Sequence, residues 1–278
     1  MKKGRVLALV LATICCGGCL SAPAAVEDEI RVVGSDTMLE LDRRLAEEFM
    51  RSHPGDTVRV QGGGSGTGID ALRDGRATIA AASRPLSSEE VAALHEQFGT
   101  LGVRYLVAQD ALSVYLHRDN SVRSLTLDQL RGIFDGSISR WSEVGGDPSS
   151  VVVVVRPPSS GTHRFFRDHV LSGAPYSPHA VTVPTTRGVL AAVQADPASI
   201  GYGGHAYSID SVVRVAIDGV SPTPANVGQG RYPLARYLAF YTTRPATGLA
   251  RRFIDWCQSG EGQRVVTEVG YIALWKDE

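Results

Sequence analysis

Four short stretches combine glycine, hydroxyls and arginine in a way that can hold an anion. They are Gly34-Ser35-Asp36-Thr37, the run Gly62 to Gly68, Ser83-Arg84, and Arg156 with Ser160-Gly161-Thr162. Glycine lets the backbone approach an oxyanion, a hydroxyl donates one more hydrogen bond, and a guanidinium adds a planar fork of donors. Each stretch follows a run that reads as a strand. At least three precede a helix, whose first-turn N–H groups lack partners within the helix. One such loop alone is most simply a cap or a turn, since Ser, Thr, Asp and Gly are the ordinary residues of both. Four together, two of them carrying an arginine, point to convergence on one anion.

Spacing excludes several enzymatic uses of the same residues. GGGSGTG has Thr67 two places after Ser65, so no nucleophile elbow is spelled. It lacks Gly-Lys-Ser/Thr, and glycines at 62 and 64 would need a third at 67 for dinucleotide binding. A hydrolase using Ser65 or Ser160 is the remaining enzymatic alternative, and a structural surface module the non-binding one. His163 stands beside the Thr162 corner, either against a ligand or in solvent. No histidine pair has metal-ligand spacing beside a carboxylate, and the three leader cysteines with lone Cys257 are not expected to make a zinc site. No metal, cofactor or covalent chemistry is expected.

The elements that must position the four loops alternate. The strand Ile30 to Val33 leads to a helix carrying Leu41, Leu45 and Phe49, which stops at Pro54-Gly55. TVRVQ, the helix Ile69 to Arg73 and ATIAAAS follow. Then come ALSVYLHR as a strand, TLDQLRGIF as a helix, SSVVVVVR as a buried strand, GVLAAVQADP as a helix and SIGYGG as a strand. RYLAFYTT is the last strand, followed by two helices broken at Ser259-Gly260. This order implies an α/β fold with largely parallel sheets and a ligand beyond the carboxyl ends of the strands.

The chain has 278 residues, 43% hydrophobic and 21% charged, with a formal net charge of -1. That suits a globular protein of one large or two ordinary domains, with no basic field for nucleic acid. Lys2, Lys3 and Arg5, the apolar run Val6 to Ile14 and the small residues to Ala25 form an export leader over residues 1–25. Cys19 after Gly17-Gly18 is a lipidation candidate, and Ala22-Pro23-Ala24 a competing cleavage site. The expected location is extracytoplasmic or periplasmic, with membrane contact only through such an anchor. Export with Cys257 as the sole cysteine beyond the leader leaves the core to hold the protein together.

GSDTM, QGGGSGTGI, ASRPLS, LTLDQLRGIFDGSISRWSEVGG, RPPSSGT, SIGY, RYPLAR and SGEGQRVVTEVGYIAL, in that order, resemble the phosphate-binding proteins of bacterial ABC importers. The resemblance spans roughly residues 30 to 274. It implies a two-lobe periplasmic binding protein-like fold of type II, with the ligand cleft between the lobes. Residues 26–112 and 211–278 would form a discontinuous lobe one and residues 113–210 lobe two, with chain crossings near Ala111 to Tyr115 and Tyr207 to Ile217. It further implies a monomer that binds inorganic phosphate and docks on a membrane permease.

Carried over by motif, Ser35, Thr37 and the backbone of Met38 would serve from the first loop, and Ser65 from the second. Ser83 with Arg84 would serve from the third, and Arg156, Ser160, Gly161 and Thr162 from the other lobe. Known members have an aspartate after the serine of the third loop, to accept the proton of hydrogen phosphate; here that place is Arg84. Arginine cannot accept a hydrogen bond, so Asp36 is expected either to replace the acceptor or to cap the helix after Met38. A binder or sensor of another tetrahedral oxyanion is the alternative within this fold.

Overall fold

A computed structural model describes residues 29–275. The expected leader, its cleavage site and Cys19 lie outside them. β1 (Glu29–Gly34) runs into α1 (Leu39–Ser52), β2 (Thr57–Gln61) into α2 (Ser65–Arg73), and β3 (Ile79–Ala82) into α3 (Ser88–Phe98). α1 buries Leu41, Leu45 and Phe49 as one stripe, the outcome of their four-residue spacing. α3 has no counterpart in the sequence reading. It starts at a capping box, in which Ser87 accepts from the Glu90 N–H and Glu90 accepts from the Ser87 N–H.

β4 (Val103–Ala111), also absent from the sequence reading, ends the first pass through lobe one. β5 (Ser113–His117), β6 (Ser124–Leu125), α4 (Leu127–Asp135), β7 (Val152–Val155) and α5 (Gly161–His169) begin lobe two. β8 (Val181–Thr182), α6 (Thr186–Ala195), β9 (Ser199–Gly203), β10 (Val212–Arg214), β11 (Ala216–Ile217) and α7 (Pro224–Gly228) continue it. β12 (Ala235–Thr242), α8 (Gly248–Cys257) and α9 (Gly260–Val269) return to lobe one.

Each lobe has its own five-stranded sheet, ordered β2-β1-β3-β12-β4 and β10-β5-β9-β7-β8, and its own apolar core. The sheets are mixed rather than largely parallel. β1 pairs parallel with β2 and β3, and β7 with β8 and β9, but β12 runs antiparallel to both of its neighbours, as does β5. The antiparallel strands are those next to the lobe crossings, whose direction is set by the passage between lobes and not by a crossover helix.

The first crossing falls at Leu112, between β4 and β5. The second differs from expectation. β10 pairs with β5, and Val215, Ile217, Val227, Tyr232 and Leu234 are buried in the second core. Residues 212–234 thus belong with lobe two, and the return falls at Leu234–Ala235. The two crossings lie side by side: the Leu112 N–H donates to the Leu234 carbonyl at 3.0 Å, and the Tyr232 hydroxyl to the Leu112 carbonyl at 2.8 Å. Short, irregular elements between 204 and 234 carry no hydrophobic period that says which sheet they join.

Candidate anion-binding site

The parallel strands β1, β2 and β3 end on one edge of lobe one, and β7 ends facing them from lobe two. The four hydroxyl-rich loops therefore meet. Thr37 Oγ1 lies 2.7 Å from Thr162 Oγ1 across the cleft. Ser65 Oγ accepts from the Ser83 N–H at 3.1 Å and lies 3.4 Å from Ser83 Oγ. Ser35, Thr37, Ser65, Ser83, Ser160 and Thr162 are all buried. The fit depends on two glycines. A Cβ on Gly161 would fall 2.2 Å from Ser65 Oγ, and one on Gly64 would fall 2.6 Å from the Ser159 carbonyl. With both absent, the Gly66 N–H reaches that carbonyl at 3.0 Å and joins the lobes through backbone.

Arg156 stands at the centre and is 1% exposed. Its Nη1 donates to Thr186 Oγ1 at 2.9 Å and its Nη2 to Asp36 Oδ2 at 2.7 Å, a buried ion pair from one lobe to the other. Its Nε is buried with no hydrogen-bond partner among the described residues. Burial pushes the guanidinium below its ordinary pKa, and the charge of Asp36 opposes that; an arginine remains cationic regardless. A fixed buried cation whose Nε–H has no partner is a strong demand for an acceptor.

Asp36 does not cap a helix with its side chain. Oδ1 accepts from the Gly63 N–H at 3.1 Å and Oδ2 from Arg156, so the carboxylate ties the first two loops to the second lobe. Met38 buries its side chain in the lobe-one core, and its N–H donates to the Ser35 carbonyl at 3.0 Å. That donor is spent on the turn and not turned on the cleft. Ser160 caps α5, its Oγ accepting from the His163 N–H at 3.3 Å, which leaves its own O–H free to donate. His163 is held through Nδ1 on the Arg156 carbonyl at 2.6 Å, and burial lowers its pKa. It is a neutral strut for the Arg156 loop rather than a solvated side chain.

Arg84 departs from the sequence reading. It is only 6% exposed, yet its Nη1 and Nη2 grip the Glu90 carboxylate at 2.7 and 2.6 Å. Nη1 also donates to the Pro85 carbonyl at 2.8 Å. The fork is taken by the capping-box glutamate of α3, so the place of the family's aspartate holds a structural ion pair. Burial pushes the Glu90 carboxyl up, but hydrogen bonds from Arg84 and the Ser87 N–H, with the Arg84 and Arg164 charges, outweigh it and leave the pKa lowered.

The second cation of the site is Arg236 on β12, which the sequence reading places in a family motif without a role. Arg236 Nη1 donates to Thr162 Oγ1 at 3.1 Å and to the Ser83 carbonyl at 3.3 Å. Its Nε and Nη2 lock onto Asp110 Oδ2 at 2.9 and 2.7 Å, and Asp110 Oδ1 accepts from the His205 N–H at 2.8 Å. Arg236 and Asp110 are paired residues of β12 and β4, so lobe one holds the arginine rigidly under the lobe-two threonine. A charged residue inside the otherwise apolar strand segment YLAF and its flanks was the available signal. Thr186, at the start of α6, carried none.

The site thus offers hydroxyl donors, two helix N-termini and two arginines, with both nearby carboxylates already committed to those arginines. Neither Ser65 nor Ser160 has an imidazole or carboxylate hydrogen-bonded to its hydroxyl among the described residues, so no side-chain general base is in place. No cluster of three or more metal-binding side chains is found among the described residues. The chemistry available is capture of a small tetrahedral anion by charge-assisted hydrogen bonds in a buried setting.

Two α/β lobes joined by adjacent crossing strands, with buried donors between them, define a solute-binding protein of the periplasmic type. Residues 21–261 match the PBP superfamily domain. The chain is 34% identical to the phosphate-binding protein PstS of Bacillus subtilis, over 88% of this chain and 80% of that protein. It is 30% identical to PstS of Pseudomonas aeruginosa, over 99% and 96%. A phosphate ABC transporter substrate-binding protein from Clostridium perfringens, solved with bound phosphate, superposes with a TM-score of 0.82 at 30% identity, covering 89% of this chain and all of that one. This chain belongs to the PstS-like phosphate-binding proteins within the PBP superfamily.

Proposed function

We propose that this protein captures inorganic phosphate outside the cytoplasm and delivers it, chemically unchanged, to the membrane permease of an ABC importer. The observation that carries this reading is the buried Arg156 guanidinium with its Nε unpartnered at the meeting point of four donor loops. Thr37, Ser65, Ser83, Ser160 and Thr162 surround the anion with hydroxyls, the first turns of α2 and α5 add N–H donors, and Arg236 supplies the second charge. Arg84 takes no part. Asp36 orients Arg156 instead of serving as a free proton acceptor. The names of the relatives and the phosphate bound in the Clostridium protein support the choice of ligand. The committed carboxylates and the absence of a base beside Ser65 or Ser160 support binding without turnover.

Among the described residues no helix is long and apolar enough to cross a membrane. Attachment, in this reading, comes from lipidation at Cys19, and docking to the permease uses one monomer. Calorimetry with phosphate and sulfate between about pH 5 and 8, which brackets the second ionisation of phosphate, tests the assignment. One phosphate per chain with much weaker sulfate is expected. Equal sulfate binding overturns the phosphate specificity, and no phosphate heat at any pH overturns the capture.

A further inference from the structure

A cavity of about 170 Å³ has in its wall Arg236, whose Nη1 donates to Thr162 Oγ1 at 3.1 Å. Arg84, Arg104, Arg236, Tyr237 and Tyr241 line it from lobe one and Phe165 of α5 from lobe two. Arg84 brings a buried Nε with no partner among the described residues, since its fork is spent on Glu90. Arg236 lies with its Cζ 5.4 Å from the centre of the Phe165 ring. Tyr237 is 49% exposed, an unusual position for a large aromatic, and stands among the cavity's lining residues. The cavity is distinct from the four-loop site, which none of Arg104, Phe165, Tyr237 and Tyr241 enters.

Charge and wall chemistry select the class of ligand. Asp110 balances Arg236, and Glu90 is shared by Arg84 at 2.6 Å and Arg164 of α5 at 3.7 Å, whereas Arg104 has no carboxylate within 4.0 Å among the described residues. Of the three arginines that line the cavity Arg104 alone lacks a carboxylate, and His169 shares the wall from lobe two, so the wall carries surplus positive charge that suits a small anion. The aromatic walls suit an apolar body, and the volume is smaller than that of a drug-sized pocket. We propose that this cavity is a second binding site, for a compact organic monoanion such as a small carboxylate with an apolar body. The carboxylate faces Arg104, and the body lies against Phe165, Tyr237 and Tyr241. Because the walls come from both lobes, occupancy favours the closed arrangement. By reciprocity it tightens the four-loop anion site, and phosphate tightens it in turn.

Benzoate is a suitable probe, titrated into the mature chain by calorimetry or NMR with and without saturating phosphate. The expected result is saturable binding of one benzoate in the millimolar range, strengthened when phosphate is present. Arg104→Gln weakens benzoate about tenfold, as loss of one charged hydrogen-bonding partner implies. Tyr237→Ala weakens it as well, while phosphate affinity measured without benzoate stays unchanged in both variants. Absence of saturable benzoate binding overturns the proposal, as does binding insensitive to Arg104→Gln. Displacement of benzoate by phosphate also overturns it, because the two would then share one site. Failure of phosphate to bind, with benzoate binding intact, instead removes the reading of the first site and leaves this one standing.

Discussion

Arg84 and Arg156 occupy matching places in the two lobes, each one residue or two beyond a buried strand and each ahead of a helix. Their fates differ completely. Each keeps a buried Nε without a partner among the described residues, but Arg156 meets a carboxylate from the opposite lobe, where the four loops come together, while Arg84 meets one from the helix that follows it. The same residue type in the same local setting becomes ligand-facing or structural according to where its nearest acid sits. A guanidinium placed in a buried loop must be neutralised, and the partner that satisfies it also aims it.

The sharpest way to break this comparison is to remove each arginine in turn and measure phosphate binding. Arg156→Ala is expected to cost on the order of 2–5 kcal/mol of binding, as for a truncated buried charge partner. Arg156→Lys recovers only part, because a point charge cannot serve Thr186, Asp36 and the anion together. Arg84→Ala should leave phosphate affinity within a factor of about 2–3 while lowering thermal stability, since truncating one partner of a buried pair strands the other. If the Arg84 variant loses binding as severely as the Arg156 variant, the distinction between the two arginines fails.

Arg236→Gln sits between these extremes. It removes the second cation and leaves Asp110, which is wholly buried, without its partner. Both affinity and stability are expected to fall, by about 3 kcal/mol or more in stability for an uncompensated buried charge. The double variant Arg236→Gln with Asp110→Asn, followed by denaturant melts and phosphate titration, separates the effects. Stability should return in part and affinity should not. Recovery of both would assign Arg236 to the hinge alone.

Glu90 extends the comparison to acid. Its carboxyl titrates below the ordinary glutamate range, because the Arg84 and Ser87 contacts outweigh burial. A depressed carboxylate contributes stability that is fully present above its unfolded pKa of about 4.3 and is lost as pH falls through the folded value. The stability difference between wild type and Glu90→Gln should therefore be flat above about pH 5 and shrink below about pH 4. Denaturant melts across that window provide the measurement. A difference that grows on acidification would mean the pair does not form.

Much of the second-lobe clamp was legible because its signals are local. A valine run, then arginine, then Ser-Gly-Thr, states strand, charge and cap within twelve residues, and Gly161 is a point where the two lobes approach too closely for a side chain. Arg84 was misplaced although its partner had a local signature too: Ser87 and Glu90 spell a capping box that fixes a carboxylate at the start of α3. Arg236 and Asp110 were beyond local reading. They are 126 positions apart and meet only through the β4–β12 register. The boundary near 234 was hidden for the same reason, since β10 and β11 are too short to show a period. Local chemistry thus identifies donors, whereas pairing across the chain decides which of them remain free.

The smallest expected effect concerns the rim of the cleft. Arg187 of α6 lies 3.3 Å from Glu40 of α1, another contact from lobe to lobe, with its Cζ 5.8 Å over the Tyr207 ring. Tyr207 in turn donates its hydroxyl to the Asp36 carbonyl at 2.8 Å, which links the rim to the loop that holds Arg156. Both charged side chains are open to solvent, so the pair gains little and is screened by salt. Arg187→Ala is expected to weaken phosphate by less than about threefold at low ionic strength, and not at all in molar salt. Arg156→Ala should keep most of its effect under the same conditions, because its ion pair is sheltered. Titrations at two salt concentrations compare rim and centre directly. A rim variant as damaging as the central one, at either concentration, would mean that closure depends on the surface pair and not on the buried guanidinium.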